Sequence, residues 1–171
     1  MAPTPPRAPQ DEATDLLMMR RALAQAAEAA RLGEVPVGAV IASGGRVVAE
    51  AHNLRETLHD PTAHAERLAL ARAGQILGSW RLDGCTMYVT LEPCSMCAGA
   101  IVLGRITRLV YGAPDWKAGA CRSLYRLADD PRMNHRVSVS DGLLAEECGD
   151  LLSRFFQDRR NPDVDPPRRG A

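Results

Sequence analysis

The chain has 171 residues, 46% of them hydrophobic and 25% charged, and its formal net charge at pH 7 is zero. That length and balance suit one globular domain with a core large enough to need no disulfide support. They exclude a membrane span, since no apolar run approaches roughly 18 residues, and they leave no strong net field to argue for a nucleic-acid partner.

Residues 1–14 contain four prolines and little apolar content. They read as a flexible tail and lack the apolar centre of a signal peptide, so the expected location is cytoplasmic. Asp15 is the expected N-cap of a first helix, with Leu16, Met19, Leu23, Ala26, Ala27 and Ala30 as its apolar stripe and Gly33 as its end. Val37 to Ala42 and Arg46 to Ala51 form two arms of a hairpin around Ser43-Gly44-Gly45. His52-Asn53 closes the second arm, and a polar loop follows through Asp60. Pro61 opens a helix over His64–Leu77 that stops at Gly78. Cys85–Leu91 is a third strand, ended by Pro93, and Ser95 to Leu103 a helix. Arg108 to Tyr111 is a fourth strand, and Gly112–Ala120 a loop. Ser123–Ala128 is a short helix, Arg136 to Val139 a fifth strand, and Asp141–Arg160 the last helix. Residues 161–171 are again tail. Strands alternating with helices after a hairpin predict an α/β domain over residues 15–160, with one mixed sheet covered on both faces.

Charge is unevenly spread. Residues 104–136 hold seven basic side chains against three acidic ones, and residues 151–171 hold five against three. A solvated surface accounts for such runs as well as a basic face does. Lys117 is the single lysine of the chain.

Five cysteines in a reducing compartment favour metal or catalytic roles over disulfides. Cys85, Cys121 and Cys148 stand singly among apolar residues and read as buried or neutral thiols. Cys94 and Cys97 differ. At i and i+3 in the first turn of a helix, both sulfurs lie on one side, where the helix dipole favours thiolates. On that segment alone, a redox dithiol and a zinc site are equally good readings.

His64 and Glu66 decide between them. His64 begins a helix and supplies a third ligand. Two thiolates and one imidazole leave a fourth tetrahedral position on Zn²⁺ open for water, whose pKa the ion lowers toward neutrality. Glu66, two residues on, need not bind the metal and is placed to move protons between water and substrate. His-x-Glu combined with Pro-Cys-x-x-Cys is the signature of zinc nucleobase deaminases.

Beyond these segments, the chain resembles the bacterial tRNA-specific adenosine deaminases of the cytidine deaminase-like superfamily. The resemblance covers about Val35 to Arg160. It is carried by Val35–Val40, His59–Glu66, Tyr88–Ala100, Met133-Asn134-His135-Arg136-Val137 and the terminal Phe155-Phe156…Arg159-Arg160. It implies a three-layer α/β/α cytidine deaminase-like fold with a five-stranded mixed sheet, a homodimer and one Zn²⁺ per subunit. The implied reaction is hydrolysis of adenosine to inosine at the wobble position of a tRNA anticodon, with release of ammonia; an arginine tRNA reading ACG is the expected substrate. It maps His64, Cys94 and Cys97 onto metal ligands, Glu66 onto the catalytic proton shuttle, Asn53 onto a base-reading side chain and Val37 onto an apolar wall of the base pocket. By pattern alone Asn53 caps a turn and Val37 is core. Asp115, Lys117, Phe156, Arg159 and Arg160 are the candidates for contact with the single-stranded anticodon loop, where aromatics stack and cations meet phosphates. The chain departs from the family pattern at Pro114, where Arg is usual, and at Trp116, where a small residue is usual.

A deaminase of free bases or nucleosides (guanine, cytidine or a riboflavin precursor) is the alternative. It needs neither a basic face nor an aromatic-plus-arginine terminal helix. A non-catalytic RNA-binding module with structural zinc is a further possibility. It would need a fourth protein ligand, for which His52, His59 and His135 are only loosely spaced.

Overall fold

The structure, a computed structural model, describes residues 9–160, with side chains from Glu12 onward. Along the chain these residues form α1 (Pro9–Arg31), β1 (Gly38–Ser43), β2 (Arg46–His52), α2 (Arg55–Leu58), α3 (Ala65–Leu77), β3 (Cys85–Leu91), α4 (Ser95–Leu103), β4 (Arg108–Ala113), β5 (Ser138–Ser140) and α5 (Ala145–Arg160). Gly44 and Gly45 both take positive φ, which gives the β1–β2 hairpin a turn whose twist matches its strands. The five-stranded sheet runs β2-β1-β3-β4-β5. β1 pairs antiparallel with β2 and β3, while β3, β4 and β5 are parallel, so the sheet is mixed as expected.

Side chains alternate across this sheet with the period of two that a strand imposes. Ala39, Ile41, Met87, Val89, Leu109 and Tyr111 pack on one face, with Ala65, Ala69 and Ala73 of α3 and Ala98, Ile101 and Val102 of α4. Val40, Ala42, Tyr88 and Val110 pack on the other, with Met18, Met19 and Ala22 of α1 and Cys148 of α5. The result is the three-layer α/β/α arrangement. Each fully buried side chain of the size of Ile41 or Met87 contributes about 1.5–3 kcal/mol relative to exposure. The alanine-rich helices lie close to the sheet. At Gly38 any side chain would run into the backbone of Ala22, and at Gly112 into Cys148.

Tertiary contacts move several boundaries. α1 begins at Pro9, so residues 9–14 are helical where a tail was expected, and residues 1–8 lie outside the described residues. Asp15 is no N-cap. It is buried inside the helix and accepts hydrogen bonds from Arg108 Nη1 and Nη2 (2.9 Å each) and Tyr88 Oη (2.6 Å). That ion pair turns the helix so that Met18, Met19, Ala22, Ala26 and Ala29 face the sheet, while Leu16 and Ala27 are exposed. The polar loop after Asn53 contains the short helix α2.

Residues 123–128 are turns and irregular backbone instead of a helix: Leu124 N–H donates to Gly119 O and Leu127 N–H to Ala120 O (3.0 Å each), neither in helical register. The fifth strand is Ser138–Ser140. α5 starts at Ala145 because positive φ at Gly142 and Leu144 breaks the expected first turn. The tail expected over residues 161–171 lies outside the described residues. Among the described residues no helix is long and apolar enough to cross a membrane.

Candidate active site

α3 and α4 both start at the same end of the sheet, and each is preceded by a side chain that does not cap it. His64 stands before α3 in extended backbone (φ −75°, ψ 150°), as Cys94 does before α4 (φ −70°, ψ 174°). Neither bonds its own helix, so both are free to turn toward each other. His64 Nδ1 lies 3.7 Å from Cys94 Sγ and 3.6 Å from Cys97 Sγ. All three ligand atoms fall within 4.8 Å of one another. With zinc–sulfur and zinc–nitrogen bonds of about 2.3 and 2.0 Å, two ligands of one tetrahedral ion stand about 3.6 Å apart. The donor set therefore fits zinc in number, softness and spacing, with one position left over by the protein.

Protonation agrees with that fit. The Cys94 thiol is pulled down to about 4, first by its hydrogen bond with Cys97 and then by that with His64. Cys97 is pushed up by the same bond and by burial. A divalent cation at the cluster would displace protons from both sulfurs.

Glu66 lies in the first turn of α3, only 4% exposed, and outside the converging ligand group. Burial is the main influence on its carboxyl and raises its pKa above the ordinary range, with His64 and Cys97 close enough to pull it back in part.

Asn53, also buried, follows β2 directly. Its N–H donates to Val37 O (3.0 Å), and the next N–H, of Leu54, donates to Ala63 O (3.0 Å). Val37, Asn53 and the approach to His64 are thereby stitched together. Val37 is half-buried against the core. The Asn53 amide donates Nδ2 to Glu34 Oε2 at 3.3 Å. Glu34 is fully buried and also accepts the N–H groups of Glu56 (3.2 Å) and Thr57 (2.6 Å). Burial works to raise its pKa, but these hydrogen bonds and the charge of Arg159 hold it below the usual carboxylate range.

Glu92 plays the corresponding part beside Cys94. Its buried carboxylate accepts the N–H groups of Asp115 (3.1 Å), Cys121 (3.0 Å), Arg122 (2.7 Å) and Ser123 (2.9 Å), together with the Ser123 hydroxyl. The loop it gathers abuts the cluster through a bridge between Cys94 and Gly119. Any side chain at Gly119 would collide with Glu92. Sequence reasoning gave neither glutamate a role. The available signal was their setting, one carboxylate just after a helix-ending glycine and one between a buried strand and Pro93.

Of the residues proposed for RNA contact, Asp115 spends Oδ1 on the N–H groups of Lys117 (2.9 Å) and Ala118 (3.1 Å). Lys117 is exposed, and its ammonium makes no ion pair among the described residues. Phe156, Arg159 and Arg160 lie together at the end of α5. Arg159 donates to Gly33 O and covers the Phe155 ring at 4.6 Å, and Arg160 Nε donates to Phe156 O at 3.2 Å. The Gly33 contact ties the end of α5 to the turn that carries Glu34. Phe156 is exposed.

Met133 to Val137 forms turns held to the sheet by His135 Nε2 and Ile106 O (2.7 Å), with Val137 in the core. His52 is paired with Gln25, and none of His52, His59 or His135 joins the ligand group. Cys85, Cys121 and Cys148 are buried, and burial raises all three thiols, Cys121 to about 12 and Cys148 to about 11.

Residues 13–160 match the MafB19-like deaminase family. The tRNA-specific adenosine deaminase of Bacillus subtilis is 50% identical over 146 residues, spanning 85% of this chain and 91% of its own. That of Haemophilus influenzae is 52% identical over 147 residues, 85% of each chain. A solved structure from studies of A-to-I editing by tRNA:A34 deaminases at the wobble position of transfer RNA superposes with a TM-score of 0.77. It is 45% identical and covers 80% of this chain and 99% of that one.

Proposed function

The chain belongs to the MafB19-like deaminase family and groups with the bacterial tRNA-specific adenosine deaminases, and from that footing we propose that it converts adenosine to inosine at the wobble position of a tRNA anticodon, most directly an arginine tRNA reading ACG. The observation that carries the chemistry is the convergence of His64, Cys94 and Cys97 beside a buried carboxylate that is not one of them. Zinc, held by those three side chains, supplies a Lewis acid that makes water nucleophilic at neutral pH.

Glu66 takes the proton released as oxygen bonds to C6 and gives it to ring nitrogen N1; it then takes the second proton, from the hydroxyl on C6 as that becomes the carbonyl, and gives it to the exocyclic amine. The C6–N bond breaks and ammonia leaves. Burial, which raises the pKa of this carboxyl, favours its holding a proton between the two transfers. Asn53, steadied by Glu34, reads the purine edge with an amide that donates and accepts. Val37 walls the base. The exposed cation Lys117 and the end of α5, with Phe156, Arg159 and Arg160, contact the anticodon loop together with the Asp115 loop. The working unit is a cytoplasmic homodimer; exposed Ile76, Leu77 and Leu103, at the ends of α3 and α4, offer apolar surface for it.

The test is incubation of the zinc-loaded protein with an in vitro transcript of arginine tRNA carrying an ACG anticodon, followed by detection of inosine. Free adenosine, guanine and cytidine run alongside. Inosine at the wobble position is the expected result; turnover of a free base with none on the tRNA would overturn the assignment.

A further inference from the structure

The loop that Glu92 gathers displays a large exposed aromatic side chain, Trp116. Trp116 is 74% exposed, so it is not an anchor for the loop. The backbone on either side of it is nonetheless fixed. Asp115 N–H is held by Glu92 at 3.1 Å, the N–H groups of Lys117 and Ala118 by Asp115 Oδ1, and Gly119 N–H by Asp115 O at 2.9 Å. A large aromatic ring on a braced turn presents its face to solvent at little ordering cost on binding. Trp116 also lines a cavity of about 210 Å³ with Tyr111, Pro114, Arg122 and Ser123. That lies below the roughly 300 Å³ of the smallest drug-sized sites. It has room for a planar ring.

Position supplies the rest. Gly119, three residues on, is bridged to the ligand Cys94, so the ring stands on the loop that borders the reaction centre. Lys117, next in the chain, offers a cation that no carboxylate neutralises among the described residues. An exposed indole beside a free ammonium, at the rim of a site that takes a splayed-out base, matches the chemistry of single-stranded nucleic acid.

We propose that Trp116 is a stacking platform for an unpaired base next to the one being deaminated, a binding subsite made by this chain's own loop. The proposal rests on the RNA-editing function above. It assigns Trp116 to substrate binding, not to loop stability.

The test uses the zinc-loaded full chain and an anticodon stem-loop RNA. Of the two tryptophans, Trp80 is replaced (Trp80→Phe), so that emission reports on Trp116 alone. Titration with the stem-loop is expected to quench that emission. Trp116→Ala is expected to raise KM for the stem-loop roughly 5- to 150-fold with kcat little changed, the range found for one base–aromatic stack. Trp116→Phe restores most of the loss. Abasic substitutions, made one at a time beside the target, locate the partner: at that position Trp116→Ala loses its effect. RNA that is edited without quenching, or with the KM of Trp116→Ala unchanged, overturns the proposal alone. Emission that follows protein concentration instead of RNA overturns it in favour of a contact between copies. Failure of the parent protein to edit the stem-loop overturns both this proposal and the function on which it rests.

Discussion

Replacing Glu92 by glutamine keeps shape and volume but removes the charge and one acceptor from the loop's anchor. Five donors converge on that carboxylate, three on Oε1 and two on Oε2. A hydrogen bond to a charged group is worth about 1.5–3 kcal/mol and a neutral one about 0.5–1.5, so neutralisation removes on the order of 1 kcal/mol per bond before non-additivity. The amide nitrogen also turns a donor toward the Asp115 N–H, stranding it at a cost of about 1–3 kcal/mol. Because the five bonds share one group, the sum is smaller than its parts. We expect about 3–5 kcal/mol, in the tail reserved for broken buried networks.

In urea, with a slope of about 2 kcal/mol/M, the unfolding midpoint of Glu92→Gln then falls by about 1.5–2.5 M. The pH dependence gives an independent check. Burial alone would raise the pKa of Glu92, but the hydrogen bonds from Ser123, Arg122 and Asp115 outweigh it and leave the carboxyl below its ordinary value. A depressed folded pKa gives stability that is fully present above the unfolded value of about 4.3 and disappears as pH falls through the folded one. Parent and variant should therefore differ most at neutral pH and draw together in acid. A midpoint shift under about 0.5 M, or a gap that does not shrink in acid, would refute the reasoning.

Glu66→Ala should keep one zinc per chain, read by elemental analysis, while kcat falls about 10²- to 10⁴-fold; loss of the metal would make Glu66 a ligand. Glu34→Gln should lower kcat/KM on the stem-loop about tenfold by freeing the Asn53 amide, and it should add little once Asn53→Ala is present; full additivity in that cycle would sever the link. Asp15→Ala leaves Arg108 partly buried without its carboxylate and should cost about 3–5 kcal/mol in denaturant unfolding, whereas a loss under 1 kcal/mol would show the pair to be dispensable. If Lys117 meets a phosphate as proposed, Lys117→Ala should flatten the log–log salt dependence of RNA binding by about 0.7–0.9; an unchanged slope would remove Lys117 from the interface.

What the sequence determined is whatever depends on neighbours within a turn or a strand. The Gly44-Gly45 hairpin follows from its turn residues, and the bounds of β3 and α4 follow from an apolar run that Pro93 ends. Equally local is the presentation of Cys94 and Cys97 from one helix start, since i and i+3 share a face in any helix. The pairing with His64 came from the combined signature and not from periodicity.

Only the tertiary structure decided which carboxylates are buried and what binds them. Asp15 has the local marks of an N-cap, yet Arg108, 93 residues away, draws it into the sheet. Ser123–Ala128 has helical composition, yet Leu124 and Leu127 give their N–H groups to Gly119 O and Ala120 O, out of helical register. Glu34 steadies Asn53 from 19 residues earlier in the chain. A buried carboxylate goes where several backbone N–H groups can meet it, and those donors come from loops whose meeting is settled by the fold as a whole.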